Sequence, residues 1–119
     1  MLHQKLRSFR YSMRGLAIAW REEFNFRVHA AATALVLFLS WFLGISAIEF
    51  LFVLGAVTLV LAAELFNTAL EELCDKFGTD PDPHIAKIKD LAAAAVSVAA
   101  LGAFVIGSII FIPYVLALL

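Results

Sequence analysis

The chain has 119 residues, of which 63% are hydrophobic and only 16% charged, and its mean hydropathy is +0.93. Globular domains are typically about 45–50% apolar and about 25% charged. A water-soluble monomer of this length could not bury so much apolar surface, so the composition predicts a membrane protein. The net charge of −1 predicts no nucleic-acid partner, and the single cysteine, Cys74, excludes an intramolecular disulfide framework.

The first predicted element is an amphipathic helix over residues 4–24. Its apolar residues recur at helical spacing: Leu6, Phe9, Met13, Leu16, Ala17 and Trp20. Basic residues occupy its other faces, and six of the nine Lys and Arg residues fall before position 28. This pattern is typical of a helix that lies on a membrane surface. The alternative is a helix packed against the rest of the protein.

Three apolar segments follow, and the sequence predicts an all-α fold in which they cross the membrane. The first covers residues 28–46 and is long enough for a span of roughly 17–25 residues. A minimal turn at Gly44, Ile45 and Ser46 leads to the second span, residues 48–75. Residues 76–89 contain glycine, two prolines and alternating acids, which predict a water-exposed loop, and residues 90–119 form the third span.

The distribution of basic residues predicts the orientation of the spans. All nine lie in the N-terminal segment or in the second loop, and the turn near residues 44–49 has none. Because basic residues favour the cytoplasmic side, we expect the N-terminus and the second loop to be cytoplasmic.

A polar stripe interrupts the second span in the segment AELFNTALEELCDK. Its members lie on one helical face: Glu64, Asn67, Thr68, Glu71 and Asp75. An acidic residue deep in a span costs roughly 2.5–3.5 kcal/mol on insertion scales, so aligned acids indicate function. The alternative, hydrogen bonds that only fix helix packing, suits the amide and hydroxyl groups but not repelling carboxylates.

The positions along this helix separate two kinds of chemistry. Glu64 lies about 15 Å inside the helix end, where it can handle a proton, whereas Glu71 lies nearer the water and can hold a metal ion. Either Glu22 or Glu23 could complete a divalent site. Lys89 and Asp90 are expected to begin the third span, where the helix N-terminus favours an anion. The combination of acids, one lysine and a basic surface helix favours phosphoryl transfer. Because the sequence has no GxxxxGK[ST] loop, any nucleotide site must be unconventional.

The same segments resemble a known family of small membrane enzymes. ELFNTALEELCD is similar to the signature E-x-x-N-[ST]-[SA]-x-E-x-x-x-D of prokaryotic diacylglycerol and undecaprenol kinases. AKIKDLAAAAV resembles the family's AKD-x-x-[AG]-[AS]-A-V, and RYSMRGL and REEFNFRVH occur upstream in the family's order. The resemblance covers nearly the whole chain.

This resemblance implies a lipid kinase of the bacterial inner (plasma) membrane that forms a homotrimeric bundle with sites shared between protomers. It implies that Glu64 is the catalytic base, supported by Asn67, and that Glu23 and Glu71 bind the Mg²⁺ of MgATP. Lys89 would contact the phosphates. The remaining residues implied in nucleotide binding are Arg7, Tyr11, Arg14, Asp75, His84 and Asp90.

The expected substrate is a membrane lipid alcohol. Undecaprenol is slightly favoured over diacylglycerol because FNFRVH resembles the short undecaprenol-type members. The alternative from another functional class is a small oligomeric channel or proton-coupled transporter, in which the acidic stripe would line an aqueous path. That alternative does not explain Lys89, Asp90 or the basic helix.

Overall fold

The computed structural model describes residues 1–119 and contains four helices and no strand. In chain order they are α1 (Leu2–Glu22), α2 (Phe24–Leu43), α3 (Ala47–Asp75) and α4 (Pro83–Leu118). Helices α2, α3 and α4 are each long and apolar enough to cross a membrane. The all-α prediction and the three apolar helices able to span are therefore confirmed.

The turn between α2 and α3 is encoded by residues 44–46. Gly44 adopts the left-handed conformation (φ 63°), which glycine reaches without steric cost, and its N–H donates to the carbonyls of Ser40 and Trp41. Ser46 then begins α3 with a capping box: its hydroxyl accepts from the Glu49 N–H, and the Glu49 carboxylate accepts from the Ser46 N–H. These contacts stop one helix and start the next within three residues.

Helix α3 is the central helix, packed most extensively against α4 and also against α2. Its fully buried residues follow one face: Val53, Val60, Glu64, Asn67 and Cys74. The facing residues of α4 include Ala92 and Ala99, which are also buried. Small side chains at these positions allow close approach of the two helices, as expected for packing within a membrane.

A second contact joins α3 and α4 at the end distant from Glu64. The Tyr114 hydroxyl donates a hydrogen bond to the Glu49 carboxylate, which already caps α3. One acid therefore fixes the start of α3 and ties it to the end of α4.

The long loop predicted over residues 76–89 is wrong in its second half, because α4 begins at Pro83. Asp82 caps this helix by accepting from the N–H groups of His84 (2.8 Å) and Ile85 (3.4 Å), and proline is favoured at a first helical position. Lys89 and Asp90 consequently lie inside α4, not at its N-terminus, so helix-end N–H groups do not assist them.

The other element ends differ less from the predictions. Helix α1 covers residues 2–22 rather than 4–24, and α2 begins at Phe24 rather than 28 because the chain bends at Glu23. Only 11 of 119 residues are buried, so most large apolar side chains on the spanning helices face outward. These surfaces are available to lipid or to other protein helices.

Candidate functional site

The most deeply buried acid, Glu64, lies on α3 with 2% of its surface exposed. Its only charged partner is His29 of α2, whose Nε2 lies 3.8 Å from the Glu64 Oε2. This separation exceeds a hydrogen bond, so the interaction is electrostatic and requires a protonated imidazole. The pair links α2 to α3 beside an otherwise apolar region.

One turn further along α3, Asn67 contacts the next acid of the polar stripe, Glu71. Its side-chain amide donates to the Glu71 Oε1 at 3.1 Å, an i, i+4 contact that the helix itself provides. The Asn67 Oδ1 and the Thr68 Oγ1 are buried without a hydrogen-bond partner in the chain. Buried polar atoms are normally paired, so these two are free for a ligand or a neighbouring subunit.

Glu23 reaches this cluster from the elbow between α1 and α2, where its backbone is extended (φ −114°, ψ 107°). Burial raises the pKa of its carboxyl above the usual range, and the charges of Glu71, Glu64, Glu22 and Glu72 raise that pKa further. The acids are therefore close enough to repel one another. Neither Glu23 nor Glu71 takes part in either of the two ion pairs of the chain.

This donor set fits a hard divalent cation. Carboxylate oxygens are the preferred ligands of Mg²⁺, and a cation would relieve the repulsion that raises the Glu23 pKa. No three His, Cys, Asp or Glu side chains are arranged to hold a metal by themselves. Mg²⁺ commonly binds through one or two carboxylates together with substrate phosphates, which is the arrangement that two acids permit.

The predicted nucleotide-binding residues lie around this cluster but are less tightly organised. The Lys89 Nζ is 3.4 Å from the Asp75 Oδ1, and this exposed pair joins α4 to the end of α3. Asp90 and His84 are exposed, and neither side chain forms a hydrogen bond or salt bridge within the chain.

The three predicted residues of α1 remain on an exposed helix. Arg14 lies over the Tyr11 ring, 5.9 Å from its centroid, and Arg7 forms no ion pair. The charges of Glu71 and Glu64 thus act on Glu23, although no hydrogen bond joins Glu23 to either acid, and Arg7, Tyr11 and Arg14 lie without contact to any of the three.

An apolar cavity of about 660 Å³ lies between α2, α3 and α4. Glu64 is not part of its wall, but His29, whose Nε2 is 3.8 Å from the Glu64 Oε2, lines it. Fourteen of its 18 lining residues are hydrophobic, and it extends from His29 near the start of α2 to Leu116 near the end of α4. A hydrocarbon chain placed in this cavity would have its polar end beside His29.

His29 is the site residue that sequence reasoning missed. Its separation of 55 residues from His84 does not suggest a shared metal site, and no spacing pattern singles it out. The available signal was its position two residues after Arg27 in REEFNFRVH, one of the segments that carry the resemblance. Sequence spacing could not show that α2 turns this residue toward Glu64.

Comparisons with known proteins agree with the geometry. The profile described as prokaryotic diacylglycerol kinase matches residues 10–111. The chain belongs to the prokaryotic diacylglycerol kinase family. It is 34% identical to a diacylglycerol kinase of Haemophilus influenzae over 94 residues, 79% of this chain and 80% of the relative. It is 35% identical to the undecaprenol kinase of Bacillus subtilis over 112 residues, 94% of this chain and 91% of the relative.

Membership of this kinase family has two consequences. The chain is a phosphotransferase that acts on an alcohol group, and the family's lipid-kinase activity is favoured over the channel or transporter alternative. Kinase activity also implies use of ATP.

We expect His29→Leu to reduce kinase turnover by about tenfold or more, because it leaves the buried Glu64 without its charge partner. The measurement is the steady-state rate with saturating MgATP and lipid. His3→Leu is the matched control, since His3 is exposed on α1 and forms no contact with the cluster. A His29→Leu enzyme with more than half the wild-type rate would show that the pair is dispensable.

Proposed function

We propose that the chain is an ATP-dependent lipid kinase that transfers the γ-phosphate of MgATP to the hydroxyl of a membrane lipid alcohol. The observation that carries this proposal is the position of Glu64. Glu64 is buried on α3 beside His29, which lines an apolar cavity, and the acids suited to Mg²⁺ include Glu71 two turns further along the same helix. The lipid end and the phosphate end of the reaction meet there.

Glu64 is the proposed general base. It would accept the proton of the lipid hydroxyl as the oxygen attacks the γ-phosphorus, and the bond from that phosphorus to the ADP oxygen would break. Asn67 supports the site because its amide holds Glu71 at 3.1 Å and leaves its own carbonyl oxygen free. His29 holds the side of Glu64 that faces α2.

Glu23 and Glu71 are the proposed ligands of the Mg²⁺ that accompanies ATP. The ion would supply charge neutralisation of the phosphate oxygens. Lys89, paired with Asp75 across α3 and α4, would offset charge on the phosphates. The other proposed nucleotide contacts are Arg7, Tyr11, Arg14, His84 and Asp90.

We propose that α1 lies on the cytoplasmic face of the plasma membrane, at the end of the bundle that contains the acids. The start of α2, the end of α3 and the start of α4 all lie at that end. The apolar row that includes Phe9, Met13 and Trp20 is exposed, as a helix resting on lipid requires. The positive-inside rule supports the orientation, because every Lys and Arg residue lies at this end.

The proposed acceptor is a lipid alcohol with a long hydrocarbon chain, with undecaprenol slightly preferred to diacylglycerol. This preference rests on the resemblance of FNFRVH to the short undecaprenol-type members, because the Bacillus subtilis undecaprenol kinase and a Synechocystis diacylglycerol kinase each match 94% of the chain. The apolar wall of the cavity suits the prenyl chain of undecaprenol and the alkyl chains of diacylglycerol equally.

We also propose a homotrimer. A second groove of about 820 Å³ lies between α3 and α4, lined largely by alanines and reaching Asn67. Small residues allow a helix to approach closely, and a neighbouring subunit could donate to the unpaired Asn67 Oδ1. The trimeric number itself rests on the family resemblance.

The deciding experiment is a phosphorylation assay with purified protein, labelled ATP and either undecaprenol or diacylglycerol in mixed micelles. We expect labelled lipid phosphate, formed faster with undecaprenol. Glu64→Gln should lose more than nine-tenths of this turnover while retaining fold and MgATP binding, because the amide cannot accept the proton. No lipid phosphate from either alcohol would refute the proposed function, and an active Glu64→Gln enzyme would refute the base.

A second experiment tests the metal ligands. We expect Glu23→Gln and Glu71→Gln each to raise the Mg²⁺ concentration for half-maximal rate by about tenfold, since each removes an anionic ligand. Glu72→Gln is the matched control because it removes an adjacent charge from the exposed face of α3. An unchanged titration for Glu23→Gln or Glu71→Gln would remove that residue from the metal site.

Subunit mixing tests whether the acids of one site come from one chain. The family resemblance implies sites shared between protomers. For these three acids we propose the opposite, that a single subunit supplies them, because the charges of Glu64 and Glu71 of the same chain act on Glu23. Mixed assembly of inactive Glu23→Gln and Glu64→Gln chains should then recover no activity. Mixing each with wild-type chains is the control and should give partial activity. Recovery in the mutant mixture would show that neighbouring protomers share these acids.

A further inference from the structure

The elbow between α1 and α2 is held by one side chain, Arg27. Its Nη1 donates hydrogen bonds to the backbone carbonyls of Trp20 (2.9 Å) and Arg21 (3.1 Å) in the last turn of α1. Carbonyls in that turn have no intrahelical partner, and the helix dipole there favours a cation. Arg27 therefore closes the end of α1 from a position on α2.

Glu23 is enclosed by this connection. Its own N–H donates to the Ala19 carbonyl at 2.9 Å, and its carbonyl accepts from the Arg27 N–H at 3.2 Å. The Arg27 guanidinium also lies over the Phe24 ring, 5.9 Å from the centroid. Arg27 therefore contacts the chain on both sides of Glu23, at the end of α1 and at Phe24, and its N–H bonds the Glu23 carbonyl.

Apart from its last turns, α1 has no buried residue that would fix its position against the other helices. Ala19 is the only buried residue of this helix, and it lies in the same final turns that Arg27 caps. The helix extends for about 30 Å at 1.5 Å per residue. A small change of angle at the elbow would therefore displace both the far end of α1 and the carboxylate of Glu23.

We propose that Arg27 is a positioning residue that fixes the α1–α2 elbow and so directs Glu23 toward Glu71 and Glu64. Its role rests on the proposed function of Glu23 as a cation ligand, but the elbow it stabilises is a property of the fold. Arg27 touches neither substrate nor ion. Its effect on catalysis passes through Glu23.

The first test is a double-mutant comparison of Mg²⁺ titrations. Arg27→Gln should raise the half-maximal Mg²⁺ concentration by about tenfold, the range for a residue that orients a metal ligand, with the KM for lipid unchanged. The double variant Arg27→Gln/Glu23→Gln should be no worse than Glu23→Gln alone, because both changes disable one ligand. The proposal would be overturned if the shifts of the two single variants multiplied in the double variant. An unchanged Mg²⁺ titration for Arg27→Gln would overturn it as well.

Arg21→Gln is the matched control for charge. It removes a cation from the same helix end, but its side chain contacts only the Ala17 carbonyl of its own helix, at 3.4 Å. We expect its Mg²⁺ titration to match the wild type. An equal shift in Arg21→Gln would show that local charge, not the Arg27 hydrogen bonds, causes the effect.

A distance measurement tests the elbow independently of catalysis. Spin labels at Ser8→Cys on α1 and Phe77→Cys after α3, in a Cys74→Ala background, report the orientation of α1 when labelled chains are diluted with unlabelled ones. We expect the distance distribution to broaden in Arg27→Gln but not in Arg21→Gln. An unchanged distribution overturns the proposal. If the distribution broadens but Glu23→Gln leaves the Mg²⁺ titration unchanged, the role of Arg27 at the elbow is supported. The proposed role of Glu23 as a metal ligand is then wrong.

Discussion

The structure depends on one costly placement, a carboxylate buried in a helix that is otherwise suited to lipid. Glu64 is almost completely enclosed between α2 and α3, with His29 as its only charged partner. Removing an ion from water in this way is unfavourable unless partners or function compensate. His29 also lines the apolar cavity between α2, α3 and α4, so the buried acid and this cavity are joined through one side chain.

The acids that follow on α3 become progressively more accessible. Glu64 is buried, Glu71 is half-buried and Asp75 is exposed, where it pairs with Lys89. A single helix thus leads from a dry environment suited to proton transfer to a wetter one suited to phosphates and a divalent ion. This gradient explains how an enzyme of only four helices can join a membrane-borne acceptor to a water-borne donor. Phosphoryl transfer, the reaction of the kinase family to which the chain belongs, is consistent with this gradient of exposure.

The elbow at Glu23 is the second feature that organises the site. Helix α1 could have continued into α2, since both segments favour helix, but the extended backbone at Glu23 separates them. The charges of acids on α3 act on Glu23 at this bend, and Arg27 satisfies carbonyls at the end of α1. The same extended residue makes α1 and α2 two separate helices, each with its own end.

The sequence by itself determined the number of spanning helices, the turn at Gly44 and the acidic face of α3. Those features depend on composition, local capping chemistry and helical periodicity, all of which act over a few residues. It failed at Pro83, where a residue read as a helix breaker begins α4 behind the Asp82 cap. Tertiary structure alone decided that His29 faces Glu64 and that the charge of Glu71 acts on Glu23, because each pair joins residues far apart in the chain. Such pairings depend on how α2 and α3 pack and on the angle at one residue, and no local pattern encodes either.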